Sequence, residues 1–186
     1  MKIKYMKLHL GSGSRYLQGY THIDISEHEH IDIKASVDKL NSLKDASVDE
    51  IYASHVLEYF DRNEVNAVLL EWKRVLKKNG ILRLAVPNFE ALISVYQKTE
   101  EIEKILGPLY GKWNINNTDY IYHKTVYDNK SLTSLLQQLG FREIKQWDWR
   151  QVFKNNPEYD DHSQAYFPHM DKENGILISL NIECKK

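Results

Sequence analysis

Gly11, Gly13 and Asp24 are the residues whose types and spacing most directly imply chemistry. They lie in KLHLGSGSRYLQGYTHID, residues 7 to 24, where a short apolar run meets a Gly-Ser-Gly turn and a second apolar run ends in a carboxylate. Glycine lets a backbone turn sharply at the carboxyl end of a strand and come close to a ligand, because a Cβ there would clash. An acid at the end of the following strand is placed to accept hydrogen bonds from ribose hydroxyls. The implied chemistry is the holding of a nucleotide-type cofactor.

Spacing narrows the cofactor. A dinucleotide turn reads GxGxxG, opens a full helix that holds the pyrophosphate, and is followed by its acid about 20 positions later. Here Ser14, Arg15 and Tyr16 follow Gly13, and Asp24 arrives only eleven residues after it, with Gly19 between. At ~1.5 Å per residue that interval holds barely a turn or two of helix, too little to aim a dipole at phosphates. S-adenosylmethionine, an adenosine, a ribose and an amino acid without phosphate, fits better. An NAD(P)-dependent oxidoreductase is the alternative.

LHLGSGSRYLQGYTHIDI at 8–25, VDEIYASHVLEYF at 48–60, RVLKKNGILRLAVPN at 74–88 and the tail GILISLNIEC at 175–184 together resemble the class I S-adenosylmethionine-dependent methyltransferases, in particular their small bacterial members. The likeness covers roughly residues 6 to 92 and, more loosely, 123 to 149. It implies an α/β Rossmann-like sheet, mostly parallel with an antiparallel C-terminal strand, and helices on both faces. It also implies a cofactor contacted by His9, Gly11, Ser12, Gly13 and Asp24, with Ser36, Val37, Ser54 and His55 from the later strands. Three positions depart from the family pattern. His9 stands where an acidic residue usually precedes the first glycine, Arg15 replaces the third glycine, and Ser36-Val37 occupies the place of an acidic adenine-pocket residue. These departures motivate a further alternative, a catalytically silent S-adenosylmethionine-binding partner protein.

The elements that would position these groups alternate between strand and helix, as in a parallel sheet. Strands are expected at 6–11, 21–25, 31–35, 49–54, 80–86, near 142–149 and at 176–184. A helix over 62–78 carries Val65, Val68, Leu69, Trp72, Val75 and Leu76 at 3.6-residue spacing, with Asp61 and Glu64 as a capping box and Asn79-Gly80 as its end. A second helix is expected over 89–105, stopped by Gly107-Pro108, and a third after Asp128, burying Leu132, Leu135, Leu136 and Leu139 and closed by Gly140. One domain of 186 residues would bury roughly 70% of its unfolded surface.

Two long connections, 107–127 and 150–174, interrupt this order and are rich in Tyr, Trp, Phe, Asp and His. Long loops over a rigid sheet collect binding groups, and aromatic walls with polar tips suit a polyhydroxylated acceptor. Methyl transfer chiefly needs the acceptor held in line, an effect of roughly 7 to 11 kcal/mol. A hydroxyl acceptor also gains from a base. His123 is the preferred base, followed by His55, with Asp161 and His162 orienting a base or gripping a sugar. His22, His28 and His30 read as structural. Asp160, Asp161, His162 and His169 match no metal-binding spacing, so no metal is expected.

Composition excludes other classes. A formal charge of -1 disfavours a nucleic-acid partner, and the single Cys184 excludes a disulfide framework. Met1 leads into the first strand without a signal-peptide core, and no apolar run reaches the ~18 residues of a membrane span, so a cytoplasmic location is expected. The functional expectation is methyl transfer to a small polar acceptor, preferably O-methylation of a sugar or surface-polysaccharide precursor.

Overall fold

The computed structural model describes residues 5–114 and 119–186. The start of the chain and four residues of the first long connection therefore lie outside the described residues. A seven-stranded sheet forms from β1 (Lys7–Leu10), β2 (Thr21–Asp24), β3 (Ile33–Lys34), β4 (Val48–Ser54), β5 (Leu76–Pro87), β8 (Arg142–Gln146) and β11 (Ser179–Lys185), in the order β3-β2-β1-β4-β5-β11-β8. β11 is antiparallel to both its neighbours, and the other pairings are parallel. The fold class is the expected one. Two hairpins occupy the long connections: β6 (Trp113–Asn114) with β7 (Tyr120–Ile121), and β9 (Tyr166–Phe167) with β10 (Ile176–Leu177).

Side chains alternate across the pleat, and the register turns that alternation into two different faces. Leu8, Leu10, Ile23, Ile51, Ala53, Leu82 and Leu84 join one apolar cluster with Val65, Val68, Leu69, Trp72 and Val75 of α1 (Val65–Val75) and Leu132 and Leu136 of α4 (Asn129–Gln138). On the other face His9 stands opposite His22 and Tyr52 in the register, and Tyr52 opposite Arg83. Tyr52 and Ala85 are covered there by Leu17, Trp147, Phe153 and Tyr159. The single turn of α5 (Trp149–Val152) packs its Trp149 and Val152 against that cluster. Residues 11–20 between β1 and β2 contain no helix, as their short span implies, and aromatic side chains supply the layer there.

Three helix boundaries also differ. α1 ends at Val75 rather than 78 because Leu76 turns extended and starts β5, while Lys186 Nζ caps the carbonyls of Arg74 and Leu76 at 3.2 and 2.7 Å. Asn79, at φ +63°, is a kink inside β5 and not a helix stop. The expected 89–105 helix is two, α2 (Phe89–Thr99) and α3 (Glu103–Tyr110), broken where Glu100 adopts φ +58°. Buried positions end at Val95, so no apolar stripe carries α2 onward, and Pro108 sits inside α3, which ends at Gly111 instead. The C-terminal strand is likewise interrupted at Ile178, whose N–H donates to the Ala165 carbonyl.

Candidate functional site

Strand order reverses between β1 and β4, and ligands of open α/β sheets bind outside the carboxyl ends of strands at such a point. A cavity of about 700 Å³ opens there. Its lining includes all the residues singled out for the cofactor: His9, Gly11, Ser12, Gly13, Asp24, Ser36, Val37, Ser54 and His55. It also includes His123, Asp161 and His162 from the two long connections. Residues more than 150 positions apart are thus brought to one surface.

The loop after β1 and the acid after β2 are one unit. Gly13 N–H donates to Asp24 Oδ2 at 2.7 Å, and Ser26 N–H donates to Asp24 Oδ1 at 2.7 Å. Each carboxylate oxygen keeps a further lone pair for a ligand hydroxyl. Gly11 and Gly13 adopt φ of +62° and +51°, which glycine tolerates best. Their close approaches add protein packing to the reasons for a bare backbone. A Cβ on Gly11 would lie 2.4 Å from a Val56 methyl, and one on Gly13 would lie 3.1 Å from the Trp113 ring. Packing against Val56 excludes a Cβ at Gly11, while at Gly13 the Trp113 ring would have to give by a few tenths of an ångström.

Further polar groups along the lining lack protein partners. Among the described residues, His9 Nδ1, Ser12 Oγ and Ser54 Oγ are buried without a hydrogen bond. Buried polar atoms are normally satisfied, so these fit a polar cofactor seated against them. His9 packs against Tyr52 at 5.2 Å between ring centroids, and burial lowers its pKa to about 3, so it is a neutral imidazole. Val37 is held from below by Trp72, whose Nε1–H donates to the Val37 carbonyl at 2.8 Å.

The opposite end is a wall of histidines. Asp161 has its hydrogen-bond acceptor sites occupied. It receives the hydroxyls of Tyr52 (2.5 Å), Tyr159 (2.9 Å) and Ser163 (2.6 Å) and the Ser163 N–H (2.8 Å). His55 follows β4 in the left-handed region, at φ +54°, with Nε2 3.2 Å from Ser179 Oγ and Nδ1 3.3 Å from Glu58 Oε1. His123 has Nδ1 3.1 Å from the Pro108 carbonyl and Nε2 3.7 Å from the same Glu58 oxygen. His162 lies 5.1 Å from the His55 ring, and no ring nitrogen of His162 has a protein hydrogen bond among the described residues. Burial lowers the pKa of all three imidazoles. Asp160 is 3.3 Å from Lys172 Nζ. Glu58 is the residue that sequence reasoning missed. Its signal was present, since His55 and Glu58 are three apart in a turn and i,i+3 residues face the same way.

Residues 10–84 match the family model of the methyltransferase domain. That stretch of the chain is similar to the methyltransferase domain. Solved structures share its fold. A methyltransferase from Archaeoglobus fulgidus is 16% identical at a TM-score of 0.59, over 98% of this chain and 86% of that one. One from Methanosarcina mazei is 18% identical at 0.57, over 100% and 94%. The 1,6-didemethyltoxoflavin-N1-methyltransferase of Burkholderia thailandensis, solved with 1,6-didemethyltoxoflavin and S-adenosylhomocysteine, is 11% identical at 0.56, over 97% and 70%. A search of curated protein sequences finds no match. S-adenosylmethionine is the cofactor that the methyltransferase domain implies, and the loop–carboxylate unit with its unsatisfied neighbours suits it.

Proposed function

We propose that this protein is an S-adenosylmethionine-dependent methyltransferase that carries a methyl group to a hydroxyl of a small polar acceptor, a sugar or surface-polysaccharide precursor being the preferred class. The observation that carries the reading is the continuity of one cavity from the Gly11–Gly13 loop and Asp24 to the wall of His55, His123 and His162. At about 700 Å³ it is large enough for a cofactor and a small second ligand together. Tyr59, Phe60, Trp113 and Tyr166 add aromatic surface to the lining, which suits stacking of a sugar face. Nothing after β1 supplies a helix dipole for a pyrophosphate, which disfavours the nicotinamide alternative.

S-adenosylmethionine, when bound, supplies an activated methyl on a sulfonium. The chain's own residues then hold, orient and deprotonate. Asp24 is assigned to the ribose, Ser36 and Val37 to the adenine end, and His9, Ser12 and Ser54 to the remaining polar edge. Of the three wall imidazoles, His162 is the one with a ring free to take a proton, because both nitrogens of His55 and of His123 already face protein groups. We therefore rank His162 ahead of His123 as the general base, with His55 and Asp161 in support. Among the described residues no helix is long and apolar enough to cross a membrane, and we assign the protein to the cytoplasm, acting on a small molecule and not a nucleic acid.

Differential scanning fluorimetry with S-adenosylmethionine, S-adenosylhomocysteine, NAD and NADP tests the cofactor, with stabilisation by the first two expected. Stabilisation by NAD alone would overturn the reading. With an acceptor found from a panel of sugars and nucleotide sugars, His162→Gln should slow single-turnover transfer by about 10² to 10⁴-fold while leaving S-adenosylhomocysteine affinity near wild type. The same loss in His123→Gln alone would return the base role to that residue.

A further inference from the structure

Three consecutive residues of β2 hold the loop that follows β1. Gly11 N–H donates to the Ile23 carbonyl at 2.8 Å, Gly13 N–H to Asp24 Oδ2 at 2.7 Å, and Leu17 N–H to His22 Nε2 at 2.9 Å. Only the third acceptor is an imidazole nitrogen, and imidazole is the side chain whose ordinary titration falls between pH 5 and 8.

The hydrogen bonds set the tautomer of that ring. A nitrogen that accepts from an amide carries a lone pair and no proton, so the His22 proton is on Nδ1, which donates to Asp32 Oδ2 at 3.3 Å. The same oxygen accepts the His22 backbone N–H at 2.7 Å, and Asp32 N–H returns a bond to the His22 carbonyl at 3.1 Å. The acid is thus fixed to the residue it orients. Only 1% of the His22 side chain is exposed. Besides Asp32, its ring faces His9 of β1 at 5.5 Å, His30 ahead of β3 at 5.2 Å, and Tyr16 of the loop itself, stacked at 5.0 Å and 21°. Asp32 is the one group among these that favours a positive charge on the ring, while His30 opposes it.

We propose that His22 is a positioning residue for the cofactor loop: its neutral Nδ1–H form holds the Leu17 amide, and protonation of the ring releases residues 12–17. The consequence for the cofactor rests on the reading of the Gly11–Gly13 loop given above. An imidazolium carries N–H on both nitrogens, so its Nε2–H would oppose the Leu17 N–H, donor against donor. Leu17 is buried, and a buried donor is normally paired, so the loop has to move. Arg15 N–H donates to the Ser12 carbonyl at 2.9 Å, which closes a turn within the loop and passes the displacement of Leu17 on to Ser12 and Gly13 in the cavity lining. Burial lowers the pKa of the ring from the usual 6.5, with the Asp32 hydrogen bond acting against that shift. The tie is therefore intact at neutral pH and is lost as pH falls.

The test combines calorimetry and NMR on the full chain from pH 7.5 to 5. Wild-type affinity for S-adenosylhomocysteine should fall by up to about tenfold per pH unit once His22 titrates, the limit for one proton excluded from the bound state. In His22→Gln the amide oxygen takes the place of Nε2 and accepts from Leu17 without titrating, so affinity should no longer follow pH in this way. In the wild type, ¹⁵N spectra should show His22 as the Nδ1–H tautomer at pH 7.5, and the Leu17 amide signal should shift with the same midpoint as the ring. A wild-type affinity that is constant over the range, or the same fall in His22→Gln, would overturn the proposal. So would an Nε2–H tautomer at pH 7.5 or a Leu17 amide that ignores the titration of the ring. Absence of S-adenosylhomocysteine binding at every pH would defeat the cofactor reading instead, and the His22 and Leu17 signals would still decide whether the ring holds the loop.

Discussion

Asp24, proposed to hold the ribose, also holds the loop. Its carboxylate ties down the N–H groups of Gly13 and Ser26, so the loop is organised before any ribose arrives. Asp24→Ala should weaken S-adenosylhomocysteine binding by tenfold or more, since each charge-assisted hydrogen bond contributes about 1.5 to 3 kcal/mol before water replaces part of it. Calorimetry on the folded variant checks this, and unchanged affinity would remove the ribose assignment. Asp161 belongs to a different category although it lines the same cavity. Four donors converge on it, two of them phenols of buried tyrosines. Asp161→Ala would strand those two hydroxyls and should lower stability by roughly 2 to 6 kcal/mol, read from urea unfolding. A variant as stable as wild type, with only catalysis lost, would restore Asp161 to a chemical role.

At the scale of elements, α1 does more than cover the sheet. Its buried stripe places Trp72 where the indole N–H reaches the Val37 carbonyl, and so the helix supports the loop after β3 from behind. Trp72→Phe would leave that carbonyl without a partner at a cost of about 1 to 3 kcal/mol. The expected outcome is a lower melting temperature together with weaker S-adenosylhomocysteine binding, because the loop loses its anchor. Weaker stability with unaltered affinity would show that the Ser36–Val37 loop is held by other contacts. The reciprocal bonds ahead of α1 were legible in its sequence, although the helix starts at Val65 and not at 62: Asp61 Oδ1 accepts the Glu64 N–H at 3.1 Å, and Glu64 Oε2 accepts the Asp61 N–H at 2.9 Å. Its end was not. Local signals favoured Asn79-Gly80, but the partner that caps the last carbonyls, Lys186, is over a hundred residues away.

For the molecule as a whole, burying titratable groups around one cavity ties stability to pH. The Glu58 carboxyl is raised from an ordinary 4.5 to about 8, so the stability associated with its neutral form is complete below about 4.5 and is lost as pH rises through 8. His9 is lowered from 6.5 to about 3, so its contribution is complete above about 6.5 and is lost as pH falls. Glu58→Gln should therefore gain on the wild type as pH rises from 5 to 8, by at most about 1.4 kcal/mol per unit. Urea unfolding of both proteins across that range measures the difference, and a constant gap would mean that Glu58 ionises normally in the fold. The order of the sheet's strands along the chain and the cavity-lining His9, Gly11, Gly13 and Asp24 were readable from the chain alone, because period-two burial and a short turn between two strands are local properties. Which histidine has a free nitrogen was not readable. That depends on Ser179 and Asn181 of β11, Pro108 and Glu58 meeting around the wall from three separate segments, and contacts between distant segments exist only once the chain has folded.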